Sequence, residues 1–193
     1  MALPGFFIRP QVFPRVWYIF QAMGAIRPPE TAKLIVGILA ASTASLPAVE
    51  LALTGRFGPF DLAGPLLPFT FTKYYEKEMG TEIVRKFFSF ERTIDPGELP
   101  AIKRWTNELE TRFEGSVPRP VNLDPGYVTL SKLVLASTKD YAHRVYVGDG
   151  IHAEVTLLWT KGSFVPRDWT YPDYRTPEVL AFFNEVRRRL ADS

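Results

Sequence analysis

Apolar positions in this chain change their spacing from one segment to the next, and the changes mark out elements. Residues 33–41, KLIVGILAA, form an unbroken apolar run rich in branched side chains, the pattern of a buried strand. Ser42, Thr43 and Ser45 make a polar turn, and Pro47 opens a short helix through Val49, Ala52 and Leu53 that Gly55 can end. Residues 57–67 are heavy in Gly and Pro and read as a loop, after which Phe69, Thr70, Phe71 and Thr72 alternate as a half-buried strand does. A turn around Gly80 and a returning strand over residues 83–91 complete an expected hairpin. Asp95, Pro96 and Glu98 supply an N-cap, a first-turn proline and a reciprocal cap. Leu99, Ile102, Trp105, Leu109 and Phe113 then recur at helical spacing until Gly115. Residues 121–129 read as a strand, or a strand pair interrupted around Asp124, Pro125 and Gly126.

The resulting order, βαββαβ, is the ferredoxin-like split βαβ plan, with two helices on one face of an antiparallel sheet. The expected fold class is therefore α+β: a ferredoxin-like core with a C-terminal hairpin and helix extension, one domain over residues 23–193. The extension begins with a short helix or strand at 131–138 and a hairpin at 142–161. It ends in a helix from Thr176 and Pro177 that buries Val179, Phe182, Phe183, Val186 and Leu190. Arg187, Arg188 and Arg189 fall in the last turn of that helix, where cations offset its dipole.

Register sorts the polar residues of the 142–161 hairpin. A two-residue turn at Asp149 and Gly150 sets Val145 opposite Glu154 and Val147 opposite His152, mixing charge with apolar groups. A three-residue turn at Gly148, Asp149 and Gly150 pairs Val147 with Ile151, Val145 with Ala153 and His143 with Val155 on an apolar face. It leaves Arg144, Tyr146, His152 and Glu154 together on a polar one. In that row Arg144 can hold an anion, Tyr146 can donate a hydrogen bond, and His152 or Glu154 can act as acid or base. The competing reading is a solvated cross-strand pair worth at most about 1 kcal/mol. His143 reads as a partly buried histidine with a hydrogen-bond partner. Asp124, Lys132 and Lys139 are further ligand-binding candidates, although Asp124 before Pro125 and Gly126 also suits a simple turn.

Composition narrows the chemistry. A chain of 193 residues that is 46% hydrophobic supports one domain with a substantial core. With 23 basic and 21 acidic residues the net charge is +2, too small to require nucleic acid or an anionic membrane as partner. The absence of cysteine excludes disulfides, thiol nucleophiles and thiolate metal sites. Two histidines on opposite hairpin faces do not make a zinc site, so no metal is assigned. Neither GxxxxGK[ST] nor GxGxxG occurs, and the cofactor is left open. The first residues are apolar but divided by Pro4, Pro10, Pro14, Arg9 and Arg15, which suits neither a membrane span nor a secretory signal. A cytoplasmic protein is expected, with residues 1–22 an arm or a stretch preceding the true start at Met23.

Longer motifs carry a family resemblance. KLIVGILA, FGPFDLAGPLLPFTFTKYYEKEMG, KFFSFE, NLDPGYVTLSKLVLASTKDYAHRVYVGDGIHAEVTL, WTYPDY and FFNEVRRRL together resemble the bacterial and archaeal family named domain of unknown function 4416. The resemblance spans nearly the whole chain after Met23. It implies a start close to that methionine and supplies no reaction. The functional expectation is a small anionic or phosphorylated ligand on the polar sheet face, with catalysis left open. The alternative is a non-catalytic interaction or assembly module built on Tyr74, Tyr75, Trp169, Tyr171 and Tyr174, and a homo-oligomer is compatible with either. Convergence of Arg144, His152, Glu154 and Asp124 in a concavity would favour the first, and a flat face the second.

Overall fold

The computed structural model describes residues 26–193; the expectations for residues 1–22 lie outside them. Among the described residues, nine strands and four helices make an α+β protein. The elements are β1 (Ala32–Ala40), α1 (Leu46–Phe57), β2 (Phe60–Ala63), β3 (Leu67–Pro68), α2 (Glu76–Met79), β4 (Val84–Ile94), α3 (Leu99–Glu110) and β5 (Val121–Val128). They continue with β6 (Lys132–Ser137), β7 (Val145–Gly148), β8 (Ile151–Thr160), β9 (Ser163–Pro166) and α4 (Pro177–Ala191). All strands join one sheet in the order β2-β4-β1-β5-β6-β8-β7, with β3 also on β4 and β9 also on β8, and every pairing is antiparallel.

β1 lies inside the sheet between β4 and β5 and is buried on both faces, which is why its apolar run has no alternation. Leu34, Val36 and Ile38 point to α1 and α3, where Val49, Leu53, Ile102 and Leu109 meet them. Ile35 points the other way, into a core of Phe87, Val128, Phe182, Phe183 and Val186 that α4 closes. The Asp95–Glu98 capping box forms as expected, heading a short 3₁₀ turn that runs into α3. α3 ends at Glu110, before Phe113 and Gly115.

The sheet parts between β5 and β6, and this parting positions the site. Ladder bonds join the two strands only from Gly126–Leu135 to Val128–Leu133, leaving residues 121–125 of β5 without a neighbour on that side. Side chains of α3 take the place of the missing strand: Leu123 N–H donates to Glu110 Oε1 at 2.7 Å, and Leu123 O accepts from Lys103 Nζ at 2.7 Å. Pro125 lies in the same stretch, where its lack of an N–H forfeits no ladder bond. β5 therefore runs unbroken through Asp124, Pro125 and Gly126, with no interruption. At Gly126 the β6 backbone comes so close that a Cβ would collide with the Val134 carbonyl oxygen.

Several expectations need correction. Residues 57–67 are not a plain loop but contain β2 and β3, short edge pieces of the length that the intervening Gly64 and Pro65 permit. Residues 69–72 form no strand; the antiparallel return onto the start of β4 is made by β3, pairing Leu67 with Arg85 and Pro68 with Val84. Phe69 instead packs with Leu39, Met79 and Ile83, and its N–H bonds Ile83 O at 2.8 Å. Residues 132–137 resolve as a strand, and a tight turn with Lys161 and Gly162 at φ 51° and 86° adds β9, which the sequence reading did not anticipate.

The hairpin combines both readings of its turn. Asp149 and Gly150, at φ 54° and 74°, form a two-residue left-handed tip, so Gly148 rather than Val147 pairs with Ile151. Val147 is bulged, which restores the expected pairs Val145–Ala153 and Tyr146–His152 beyond the tip. His143 departs from its expected apolar face. It lies in a turn before β7, stacked on Trp169 at 5.4 Å, with Nε2 3.1 Å from Glu154 Oε2. The supposed apolar face is itself open, because β7 is an edge strand with Val145 and Val147 exposed.

Candidate functional site

A cavity of about 420 Å³ opens where β5 and β6 part, between the segments around residues 69–75, 136–144 and 171–174. Its floor is Arg85, which the register of β4 turns to the same face as Phe87. The guanidinium rests 4.6 Å from the Phe87 ring and 5.1 Å from the Tyr174 ring. Nη1 donates to Asp124 Oδ2 at 2.9 Å, and Nε lies 3.0 Å from Asp173 Oδ2. Burial opposes the charge on Arg85, yet Tyr174, Asp173 and Asp124 around it raise its pKa above the usual value.

One arginine thus serves two carboxylates, and their surroundings push them apart. Burial raises Asp124, but Arg85 and Lys103 outweigh burial and hold it below the ordinary carboxylate range. At Asp173 burial dominates the attraction of Arg85, and the pKa is raised. The pair therefore combines a firmly ionised group with one that takes up a proton more readily. Tyr75, also on the cavity wall, is pushed up by burial and by the nearby Asp124.

Lys103 enters from the other side of the sheet, through the opening beside Leu123. Its side chain is buried, and among the described residues no carboxylate lies within 4.0 Å of its amine. Burial lowers its pKa against the opposing pull of Asp124 and Glu110. Arg119, between Glu110 at 2.7 Å and Glu78 at 3.6 Å, completes this end of the cavity with Asn122.

At the opposite wall Arg144 is fully engaged. It donates to Glu154 Oε2 at 2.7 Å, Ser137 Oγ at 2.8 Å, Lys139 O at 3.0 Å and the Tyr171 hydroxyl at 2.9 Å. Glu154 accepts from Arg144 through one oxygen, which also faces His143, and from Thr156 through the other at 3.2 Å. Its geometry is that of a fixed anchor for Arg144.

Of the residues singled out in the sequence, Arg144, Glu154, Asp124 and Lys139 line the cavity. His152, Tyr146 and Lys132 lie outside its wall. His152 and Tyr146 meet edge to face at 5.4 Å further along the hairpin, with Asp140 3.6 Å from His152 Nε2. Lys132 stands at the far end of β6, opposite Leu158. Arg85, Lys103, Arg119, Asn122 and Asp173 were missed. A signal existed for two of them: Arg85 alternates with Phe87 on the buried face of β4, and Lys103 follows Leu99 and precedes Thr106 on the buried side of α3.

Fold and site together define an α+β sheet protein with a charged, aromatic-rimmed cavity at a parting in its sheet. The chain matches the family described as "Domain of unknown function (DUF4416)" over residues 30–190 and belongs to that family. No curated protein and no solved structure matches it. Among the described residues, no helix is long and apolar enough to cross a membrane.

Proposed function

We propose that this is a cytoplasmic protein with a ferredoxin-like core that binds a small anionic ligand in the cavity beside β5. The strand order β2-β4-β1-β5, with α1 and α3 on one face, supports the ferredoxin-like reading; β6 to β9 and α4 extend it. Five cations, Arg85, Lys103, Arg119, Lys139 and Arg144, line the cavity against three carboxylates, Asp124, Glu154 and Asp173. Arg119 is already paired with Glu110 and Glu78 behind the wall, so the remaining excess is one positive charge in a partly desolvated space, where it counts for more than in water. The observation that carries the reading is Lys103, a buried amine whose one acceptor among the described residues is Leu123 O. An anion beside it completes its hydrogen bonding and offsets the charge. Arg144 and Lys139 shape the opposite wall and Glu154 orients Arg144, while His152 and Tyr146 have no role at this position. The concavity disfavours a flat interaction surface, since Tyr74, Tyr75, Tyr171 and Tyr174 turn toward one shared space.

The test is thermal unfolding of the full chain in phosphate, pyrophosphate or citrate against chloride at matched ionic strength. At about a hundred times its Kd, a specific anion stabilises the wild type by about 2.7 kcal/mol. That increment is expected to vanish in Lys103→Met and Lys103→Gln but persist in Arg188→Gln, a surface arginine of α4 paired with Glu185 and Asp192. Equal responses in the Lys103 and Arg188 variants, or no anion effect on folded wild type, would sink the proposal.

A further inference from the structure

The cavity is chemically asymmetric along its depth. Its inner wall holds Lys103, Asn122 and Tyr174, exposed by only 6%, 4% and 1%, whereas Phe71, Tyr74, Tyr141 and Tyr171 at its mouth are exposed by 44%, 62%, 50% and 43%. Exposed aromatic rings are ordinarily scattered; here four surround one opening.

The inner wall also has unused hydrogen-bonding capacity. Asn122 Oδ1 accepts from Arg119, which fixes the orientation of the amide and leaves the buried Nδ2, among the described residues, with a weak contact to Asp124 and no full hydrogen bond. The buried Tyr174 hydroxyl has no partner among the described residues, and Lys103 Nζ is engaged by Leu123 O alone among them. Buried donors in native proteins are nearly always satisfied, so two such groups, Asn122 Nδ2 and the Tyr174 hydroxyl, on the wall that also carries the singly engaged Lys103 amine mark the place of a missing acceptor. The nearby Asp124 gives its Oδ2 to Arg85 at 2.9 Å and makes a full hydrogen bond to neither of the two.

The mouth has a different chemistry. Lys139 Nζ stands 4.7 Å from the Tyr74 ring and Arg144 4.6 Å from the Tyr141 ring, while Arg144 also holds the Tyr171 hydroxyl. The rings are thus fixed in place by cations, and they offer flat, polarisable surfaces with little side-chain entropy left to lose. A purely inorganic anion would use the inner wall and leave this rim without function.

Building on the anion-binding reading above, we infer that the ligand is a flat aromatic or heteroaromatic ring bearing one short anionic group, a carboxylate or a phosphate. The anion points inward to Lys103 and Asn122, and the ring lies among Tyr74, Tyr141 and Tyr171. A volume of about 420 Å³ falls within the range of small-molecule sites and accommodates such a compound.

The experiment titrates the full-length protein with small probes that separate the parts of this ligand, read by ligand-observed NMR. Benzoate is compared with acetate, which lacks the ring; with cyclohexanecarboxylate, which lacks its flat face; and with benzamide, which lacks the charge. Phenyl phosphate is compared with inorganic phosphate and cyclohexyl phosphate, and the tighter of the two aromatic anions identifies the headgroup. Each aromatic anion is expected to bind about threefold to tenfold more tightly than its saturated counterpart. Asn122→Asp, which keeps the shape but replaces a donor by an acceptor, is expected to remove the preference for benzoate over benzamide. Tyr74→Leu is expected to remove the preference for benzoate over cyclohexanecarboxylate. Equal binding of the saturated and aromatic anions, or of inorganic phosphate and phenyl phosphate, overturns the ring while leaving anion binding intact. Benzamide binding as well as benzoate overturns the inward anion, and failure of every anion overturns both readings together.

Discussion

Replacing Arg85 by methionine tests the electrostatic floor of the cavity most directly. The substitution keeps much of the aliphatic stem against Phe87 and Tyr174 but removes the cation from between Asp124 and Asp173, both buried or partly so. Breaking a buried ion pair by removing one partner typically costs about 3–5 kcal/mol, because the other charge stays behind unpaired. Against a total stability of about 5–15 kcal/mol this is a large loss. With a urea dependence of about 2 kcal/mol per molar, the midpoint of unfolding falls by about 2 M. Tryptophan fluorescence in urea, repeated between pH 7.5 and 5, reads both the size of the loss and its sign with pH. In the wild type Asp124 has a folded pKa below its unfolded one. Its contribution is therefore present above the unfolded value, near 3.9, and is lost only as the pH falls through the folded value. Asp173 is raised, so its contribution runs the other way and is lost as the pH rises through its folded value. Without Arg85 both carboxylates take up protons more readily, and the deficit of Arg85→Met is expected to shrink toward pH 5. A deficit below about 1 kcal/mol, or one of the same size at both ends of the range, would refute the assignment of Arg85 as their shared counter-charge.

Two further substitutions probe the scaffold. Gly126→Ala drives a Cβ into the Val134 carbonyl at the point where β5 and β6 separate, and is expected to cost about 1–3 kcal/mol, seen as a lower midpoint of thermal unfolding; an unchanged midpoint would show that the strands can part further without penalty. Asp95→Ala removes the side chain that accepts from Gly97 N–H at 2.7 Å, and a loss of about 1 kcal/mol in urea unfolding is expected, with no change in anion affinity.

Legibility differed between elements for physical reasons. β1 could be read because burial on both faces leaves an uninterrupted apolar run, and α3 because the Asp95–Glu98 box states where a helix begins. The Phe69–Thr72 alternation misled because the same period serves a chain segment whose rings divide between a buried cluster and a cavity mouth. Pro125 and Gly126 read as a break because nothing local records that β6 stands away from β5 at Pro125 and closes on it at Gly126. For the site, the contact of Arg144 with Glu154 followed from hairpin register, a local property. Arg85, Lys103 and Asp173 come from three distant elements and meet only through the strand order. Arg85 and Lys103 left a local trace, a charged residue on the buried face of its element, which periodicity alone treats as an exception; Asp173, in a short turn, left none.

Leu123 gives the parting of the sheet a dynamic meaning. Its amide hydrogen is protected by a carboxylate on α3 rather than by a neighbouring strand, and its carbonyl is covered by the amine of Lys103. Lifting α3 from the sheet would expose the bare edge of β5 and, in the same movement, withdraw Lys103 from the cavity. Exchange of that one amide with solvent therefore counts the openings in which the chain both loses its inner cation and presents a sticky strand edge to other molecules. A compound bridging Lys103 and Asn122 would fasten the helix to the sheet, and its occupancy would guard the protein against self-association.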